Sequence, residues 1–207
     1  MLFYLLISKF VSDTQKVAKK NKTRQDIINL GEDLIRSKGY HAFSYHDIST
    51  RLNLKNAAIH YHFPLKEDLG VEVIKKNSKG FEELLQNKKF NQLDEWEQLT
   101  LFIEEIFDKH YINSRVCLVG ALSIEYPTLP ETIQKEFQHM TELIRNWLTI
   151  LLKNGKKKNY FHFSTSPEVK ALMIITNLIA GLQIARIMHK SDFQLIKSGI
   201  LRELNTE

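Results

Sequence analysis

The chain has 207 residues, 43% apolar and 26% charged, with 8 Gly, 4 Pro and 1 Cys; this excludes a disordered or fibrous chain and leaves one large globular domain, or a small one joined to a larger. Sparse Gly and Pro favour long helices over many short strands, and the lone Cys117 excludes an internal disulfide and suits a reducing compartment, so a cytoplasmic location is expected. All of the formal +5 charge falls in residues 1–76, which hold 13 Lys or Arg against 8 Asp or Glu, whereas residues 77–207 hold 16 of each; that is the footprint of a nucleic-acid reader joined to something else, the alternative being a basic solvated face.

The opening "MLFYLLISKF" is too short for a membrane span, which needs ~20 apolar residues. Its Lys9 follows the apolar run instead of preceding it, unlike a secretory signal. Residues 1–22 are therefore read as an N-terminal extension, the alternative being a translation-start artefact, with no membrane partner. Lys16, Lys19, Lys20, Lys22 and Arg24 make a basic lead-in to the first helix. Thr23 with Asp26 forms a candidate capping box there, Ile27, Gly31 and Leu34 mark one face, and Gly39 can end the helix in the left-handed conformation. Ser44 then caps a short second helix with Asp47 at its third position, and Phe43 and Ile48 can staple its entry. A turn at Asn53 leads to a third helix from about Lys55 to His62, stopped by Pro64.

Later helices are expected at about 66–86, 94–112, 117–125 and 130–153. In the last of these Ile133, Phe137, Met140, Ile144, Trp147 and Leu151 repeat at intervals of 4 and 3, and Gly155 is expected as the C-cap. Ser166 and Pro167 open a further helix. It is apolar almost all round from Ala171 to Met188, which implies burial on every side, within the chain on one face and against a second subunit on the other. A final helix covers about 193–204.

Residues 45–64 fit a helix-turn-helix. Ser49 is small where the two helices cross, Ile48, Leu52, Leu54 and Ile59 hold them together, and Asn53 tolerates positive φ at the turn. Ala57 and Ala58 keep the third helix slim enough for the major groove. Lys55 and Asn56 lead it and can reach guanine and adenine edges, while His60 and Tyr61 suit phosphates or a thymine methyl. Lys66 is placed for a phosphate. Thr23, Ser44, Tyr45 and His46 complete the candidate DNA contacts.

The stretch "FSYHDISTRLNLKNAAIHYHFPLKEDL", residues 43–69, resembles the TetR/AcrR family of bacterial transcriptional regulators. The resemblance extends over about residues 23–70. More loosely, "RVCLVGALSIEYPTLPETIQKEF" and "NLIAGLQIARI" are similar to later segments of that family. Lys55 stands where the family often has a Ser cap, so Asn56 can cap instead, and His60 stands where it often has Tyr. The resemblance implies an all-α fold of about nine helices: a helix-turn-helix head over 23–70 and a bundle over 71–207 for ligand binding and dimerisation. It implies a homodimer on a palindromic operator, its recognition helices ~34 Å apart, acting as a repressor and released by an unknown small-molecule effector that prefers the DNA-incompetent state.

Phe102, Phe107, Tyr111, Tyr126, Phe137, Met140, Trp147 and Asn177 are candidates to line the effector pocket, though each aromatic also reads as plain core. Leu172, Ile175, Ile179, Leu182, Arg186, Leu195, Ile196 and Leu201 are candidates for the dimer interface. No cofactor or metal is expected: His60 and His62, two residues apart, point to different faces, and the other histidines share no ligand spacing. No catalytic constellation is visible, so the protein is not expected to be an enzyme. The alternatives are a helical ligand- or lipid-binding protein that lacks DNA binding, and an all-helical enzyme using the C-terminal pocket.

Overall fold

The computed structural model describes residues 21–111, 116–187 and 189–205. Among these residues all regular structure is helical, in nine α-helices and two short 3-10 helices, Phe90–Gln92 and Tyr126–Thr128. The first, α1, already covers residues 21–38. Thr23 therefore lies inside the helix and does not cap it, and residues 21 and 22 belong to α1 and not to an extension. Residues 1–20 lie outside the described part. Next come α2 (Tyr45–Leu52), α3 (Asn56–His62), α4 (Lys66–Gln86), α5 (Glu95–Tyr111) and α6 (Leu118–Glu125). They are followed by α7 (Glu131–Lys157), α8 (Pro167–Ala185) and α9 (Lys190–Glu203).

Local chemistry sets several of these boundaries. The Asp47 carboxylate accepts from the Ser44 N–H and hydroxyl, both at 2.8 Å, and so fixes the start of α2. These bonds, with Lys38, hold the Asp47 carboxyl well below the usual carboxylate range. Asn53 takes the left-handed conformation, φ 52 and ψ 46, that the tight turn requires. The Ser166 hydroxyl accepts from the Val169 N–H at 3.3 Å with Pro167 at the first helical position. At α3 the N-cap is Lys55, without a side-chain bond, and Asn56 is the first helical residue; the cap expected of Asn56 is not formed.

Gly155 does not end α7. The helix runs four residues beyond Lys153, to Lys157, and the left-handed residue is Asn159, φ 62. Phe161 folds back so closely that a Cβ on Gly155 would lie 2.2 Å from its ring. The Tyr160 and Phe161 N–H groups donate to the Gly155 carbonyl at 2.8 and 3.3 Å. Glycine is needed here for close approach, not for positive φ.

Two apolar cores result. The first joins Ile27, Leu34, Ile48, Ile59 and Phe63 of α1–α3 to Leu118, Leu122, Ile133 and Phe137 of α6 and α7. The second lies around Phe102, Leu148, Leu152, Ile174 and Phe193. Ile144 packs against both, and α4 passes unbroken across the boundary expected at residue 70. The head thus shares a core with the body.

The outer side of α8 corrects the expectation of burial all round. Ala171, Ile174, Leu178 and Leu182 face inward, while Val169, Leu172, Met173 and Ile184 are exposed, with Ile187 just beyond the helix end. Among the described residues α8 alone is long and apolar enough to cross a bilayer. Its inner face is taken up by packing on α7 and α9. Gly155→Ala should force Phe161 out of its seat and cost about 1–3 kcal/mol, read as a fall in Tm of several degrees. Gly199→Ala, which meets open space, is the control, and an unchanged Tm for Gly155→Ala would contradict this packing.

Candidate nucleic-acid interface and effector cavity

The helix pair α2–α3 is held by Ile48 and Ile59, both fully buried, with Ser49 at the crossing. The Ser49 hydroxyl donates to the His46 carbonyl at 2.9 Å, so no polar group is stranded there. With Ile59 and Phe63 turned inward, the opposite side of α3 presents Lys55, Asn56, Ala57, His60 and Tyr61 to solvent, Tyr61 at 66% exposure. Ala58 is half-buried beside them. His46 and Ser44 are exposed at the start of α2, and Thr23 is half-buried in the first described turn of α1. The outward row is about 10 Å long, the length of a seven-residue helix.

Two expected contacts are differently placed. The Lys66 ammonium donates to the Phe43 carbonyl at 2.6 Å and lies 4.7 and 4.4 Å from the Tyr40 and Phe43 ring centroids. Burial draws its pKa below the usual lysine range, against the pull of Glu125 and Asp47. Lys66 is therefore an internal tie between α4 and the α1–α2 turn, and the phosphate contact expected of it is corrected. The Tyr45 hydroxyl lies 2.8 Å from the carbonyls of both Phe63 and Leu65, and its ring meets His60 edge-on at 4.8 Å. Burial pushes its pKa up, so Tyr45 braces the end of α3 and is not an outward donor. His60 keeps its ring exposed, with Nδ1 3.3 Å from the Pro64 carbonyl.

A residue not anticipated from sequence fixes the head on the body. Glu125, at the end of α6, accepts from the Tyr40 and His41 N–H groups. His41 Nε2 also reaches Thr128 Oγ1 at 3.1 Å. Gly39 makes this clasp possible: its φ is +95, and a Cβ there would sit 2.9 Å from Glu125 Oε1. No periodicity marks Glu125, since its role depends on a contact 85 residues away in sequence.

At the other end of α6 lies a cavity of about 180 Å³ between the head and the bundle. Phe81, Phe102, Met140 and Ile144 make part of its apolar wall, and Arg36, Asn77 and Cys117 supply polar groups. Of the expected lining residues, Phe102 and Met140 are present. Trp147 forms a second layer, its ring 4.7 Å from Phe102 and 5.5 Å from Phe81. Tyr126 and Phe137 instead pack on one another at 6.0 Å in the head-side core. Asn177 is exposed on the outer face of α8, so it does not line the cavity. The Phe107 and Tyr111 side chains lie outside the described part.

Ile175 and Ile179, expected at a dimer interface, line this cavity. Leu182 is buried within the protomer at 2% exposure, and Ile196 and Leu201 pack against the same core. Leu172, Arg186 and Leu195 do face outward. The Cys117 thiol accepts from the Gly120 N–H at 3.3 Å, and burial pushes its pKa up, so it is protonated at neutral pH.

The profile described as bacterial regulatory proteins, tetR family, matches residues 27–73. No curated protein matches the chain significantly. Among solved structures the chain is similar to a TetR transcriptional regulator from Legionella pneumophila, 32% identical with a TM-score of 0.78, covering 88% of this chain and 97% of that one. It is also similar to a TetR-family regulator from Agrobacterium tumefaciens, 26% identical, TM-score 0.83, covering 90% and 100%. FadR from Bacillus subtilis, solved with stearoyl-CoA, shares the fold at 15% identity and a TM-score of 0.68, covering 88% and 99%. Removing the clasp by Glu125→Ala should leave a folded protein whose Tyr40 and His41 amides exchange with solvent at least about tenfold faster, since charge-assisted bonds of this kind contribute ~1.5–3 kcal/mol. Unchanged exchange would show that the head is held by other contacts.

Proposed function

The chain belongs to the tetR family of bacterial regulatory proteins, and from that premise we propose that it is a cytoplasmic repressor, not an enzyme, that binds a palindromic DNA operator as a homodimer and is released by a small molecule. The observation that carries this reading is the outward row Lys55, Asn56, Ala57, His60 and Tyr61 on α3. A slim helix led by a cation and an amide, with its other side locked into the core, suits entry into a major groove ~12 Å wide. Asn56 is assigned to a base edge. Lys55, His60 and Tyr61 are assigned to the backbone or to a thymine methyl. Thr23, Ser44 and His46 are assigned to flanking phosphates, to which the start of α2 beside Ser44 and His46 is suited.

Dimerisation is assigned to the outer faces of α8 and α9. Leu172, Met173, Ile184, Ile187 and Leu195 expose a strip of large apolar side chains there, with Arg186 beside it. Such a strip stands out on a monomer's surface and suits association. The cavity behind α6 is assigned to the effector, because Arg36 of α1 and Asn77 of α4 put the head directly in its wall.

Asn56→Ala and Tyr61→Ala should each weaken binding to the DNA upstream of the protein's own gene by about 10–100-fold, with the circular dichroism spectrum unchanged. Wild-type affinity in both would remove α3 from the interface. Leu172→Asp combined with Ile187→Asp should give a folded monomer by light scattering. These positions test the interface cleanly, whereas Leu182→Asp would place a charge in the core. A dimer that survives the double change would place the interface elsewhere.

A further inference from the structure

The polar corner of the cavity is closed on itself. Among the described residues Arg36 is the one charged side chain in the wall, and it is only 8% exposed. It pairs with Glu32 at 2.7 Å and donates to Asn77 Oδ1 at 2.9 Å. The Asn77 amide in turn donates to the Val73 carbonyl at 2.9 Å. Burial opposes the charge on Glu32, but Arg36, Lys76 and Asn77 hold its pKa below the usual range, so the carboxylate is ionised and cancels Arg36. Lys76 is 40% exposed and lies outside the wall. The Cys117 thiol is neutral and accepts from the Gly120 N–H at 3.3 Å, while the Gly120 carbonyl takes the Gln183 amide at 3.3 Å. Each of these polar groups thus braces one helix on another. The rest of the wall is apolar: Phe81, Phe102, Met140 and Ile144, with aliphatic side chains of α6 and α8.

We propose that this cavity takes a small, uncharged, apolar molecule, about one six-membered ring with a short substituent, held by packing alone. Size and polarity both select. An apolar cavity of about 150 Å³ lined by Leu, Ile and Phe side chains stays dry and admits benzene, so one of about 180 Å³ accepts a ring carrying a methyl group. Such a guest supplies the close contacts that the facing side chains lack while the space is empty, and it removes its own apolar surface from water. A guest bearing a charge would lose its hydration and find its counter-charges already taken. An anion would have to part Arg36 from Glu32, and a cation would have to part Glu32 from Arg36; breaking a buried pair leaves one of its members uncompensated. The polar corner therefore works as framework, and the choice of guest falls to the shape of the apolar wall. The guest's chemistry deepens the effector assignment and rests on it only for the effect on DNA, not for binding itself.

The test uses the full-length protein and three probes built on one ring: toluene, benzoate and benzylammonium. Binding is followed by isothermal titration and by the fluorescence of Trp147, whose ring lies 4.7 Å from that of Phe102 in the wall. Toluene should bind with a Kd of about a millimolar or tighter, and at least about tenfold more tightly than either ion. Ile179→Phe, which puts a ring into the cavity, should weaken toluene binding at least about tenfold. Either ion binding as tightly as toluene overturns the assignment, as does no binding of toluene up to its solubility. So does unchanged toluene affinity in a folded Ile179→Phe protein. If that variant fails to fold, the ranking of the three probes on the wild type decides alone. Toluene binding in this order that leaves DNA affinity unchanged would overturn the effector reading while this assignment stands. Release of DNA by benzoate in preference to toluene would do the reverse.

Discussion

The position of α3, the helix proposed to enter DNA, depends on one carboxylate. Glu125 holds two backbone N–H groups of the α1–α2 turn, and Lys66 closes the same corner from the other side by donating to Phe43. Between them these two charges fix where α2, and through it α3, stands relative to the bundle. The shared apolar core makes the arrangement stiff. Phe63 of the head and Phe137 of α7 belong to one cluster, so the head cannot tilt without disturbing side chains in α6 and α7. Interiors packed in this way switch between discrete arrangements and do not deform smoothly.

That stiffness makes the cavity's location consequential. α6 carries the clasp at one end, at Glu125. At the other it carries Leu118 and Val119 in the cavity wall, and Gln183 of α8 bonds the Gly120 carbonyl at 3.3 Å. On the proposed function, a guest that needs more room would press on α6, the helix that holds the head. An effector shifts the balance of states only by the difference in its affinity for them, typically ~1–3 kcal/mol of coupling. Rearranging one buried, charge-assisted contact is of that size.

Much of the head, and the start of α8, was legible in the residues because these signals are local. Ser44 with Asp47, Asn53 at the turn, Pro64 after α3 and Ser166 with Pro167 are each decided within a few positions, and the structure forms them. The cap expected at Thr23 failed because helix already precedes it, and the cap expected at Gly155 failed because the glycine answers to Phe161. In α8 the apolar residues run all round the helix, so periodicity carries no information about facing. Ile175 and Ile179 turned to the cavity, Leu182 to the core, and only Leu172 and its neighbours to the outside. Arg36, Asn77 and Glu125 look like ordinary surface polar residues in the sequence. Their placement is set by contacts across the fold, which no local pattern encodes.

On the proposed function, α3 of a paired molecule lies in duplex DNA with basic side chains on phosphates. The most direct test is the salt dependence of affinity for the DNA upstream of the gene, by fluorescence anisotropy. If the dimer neutralises about six phosphates, log K should fall against log salt with a slope near −5. A slope near zero, or no binding at low salt, would contradict it.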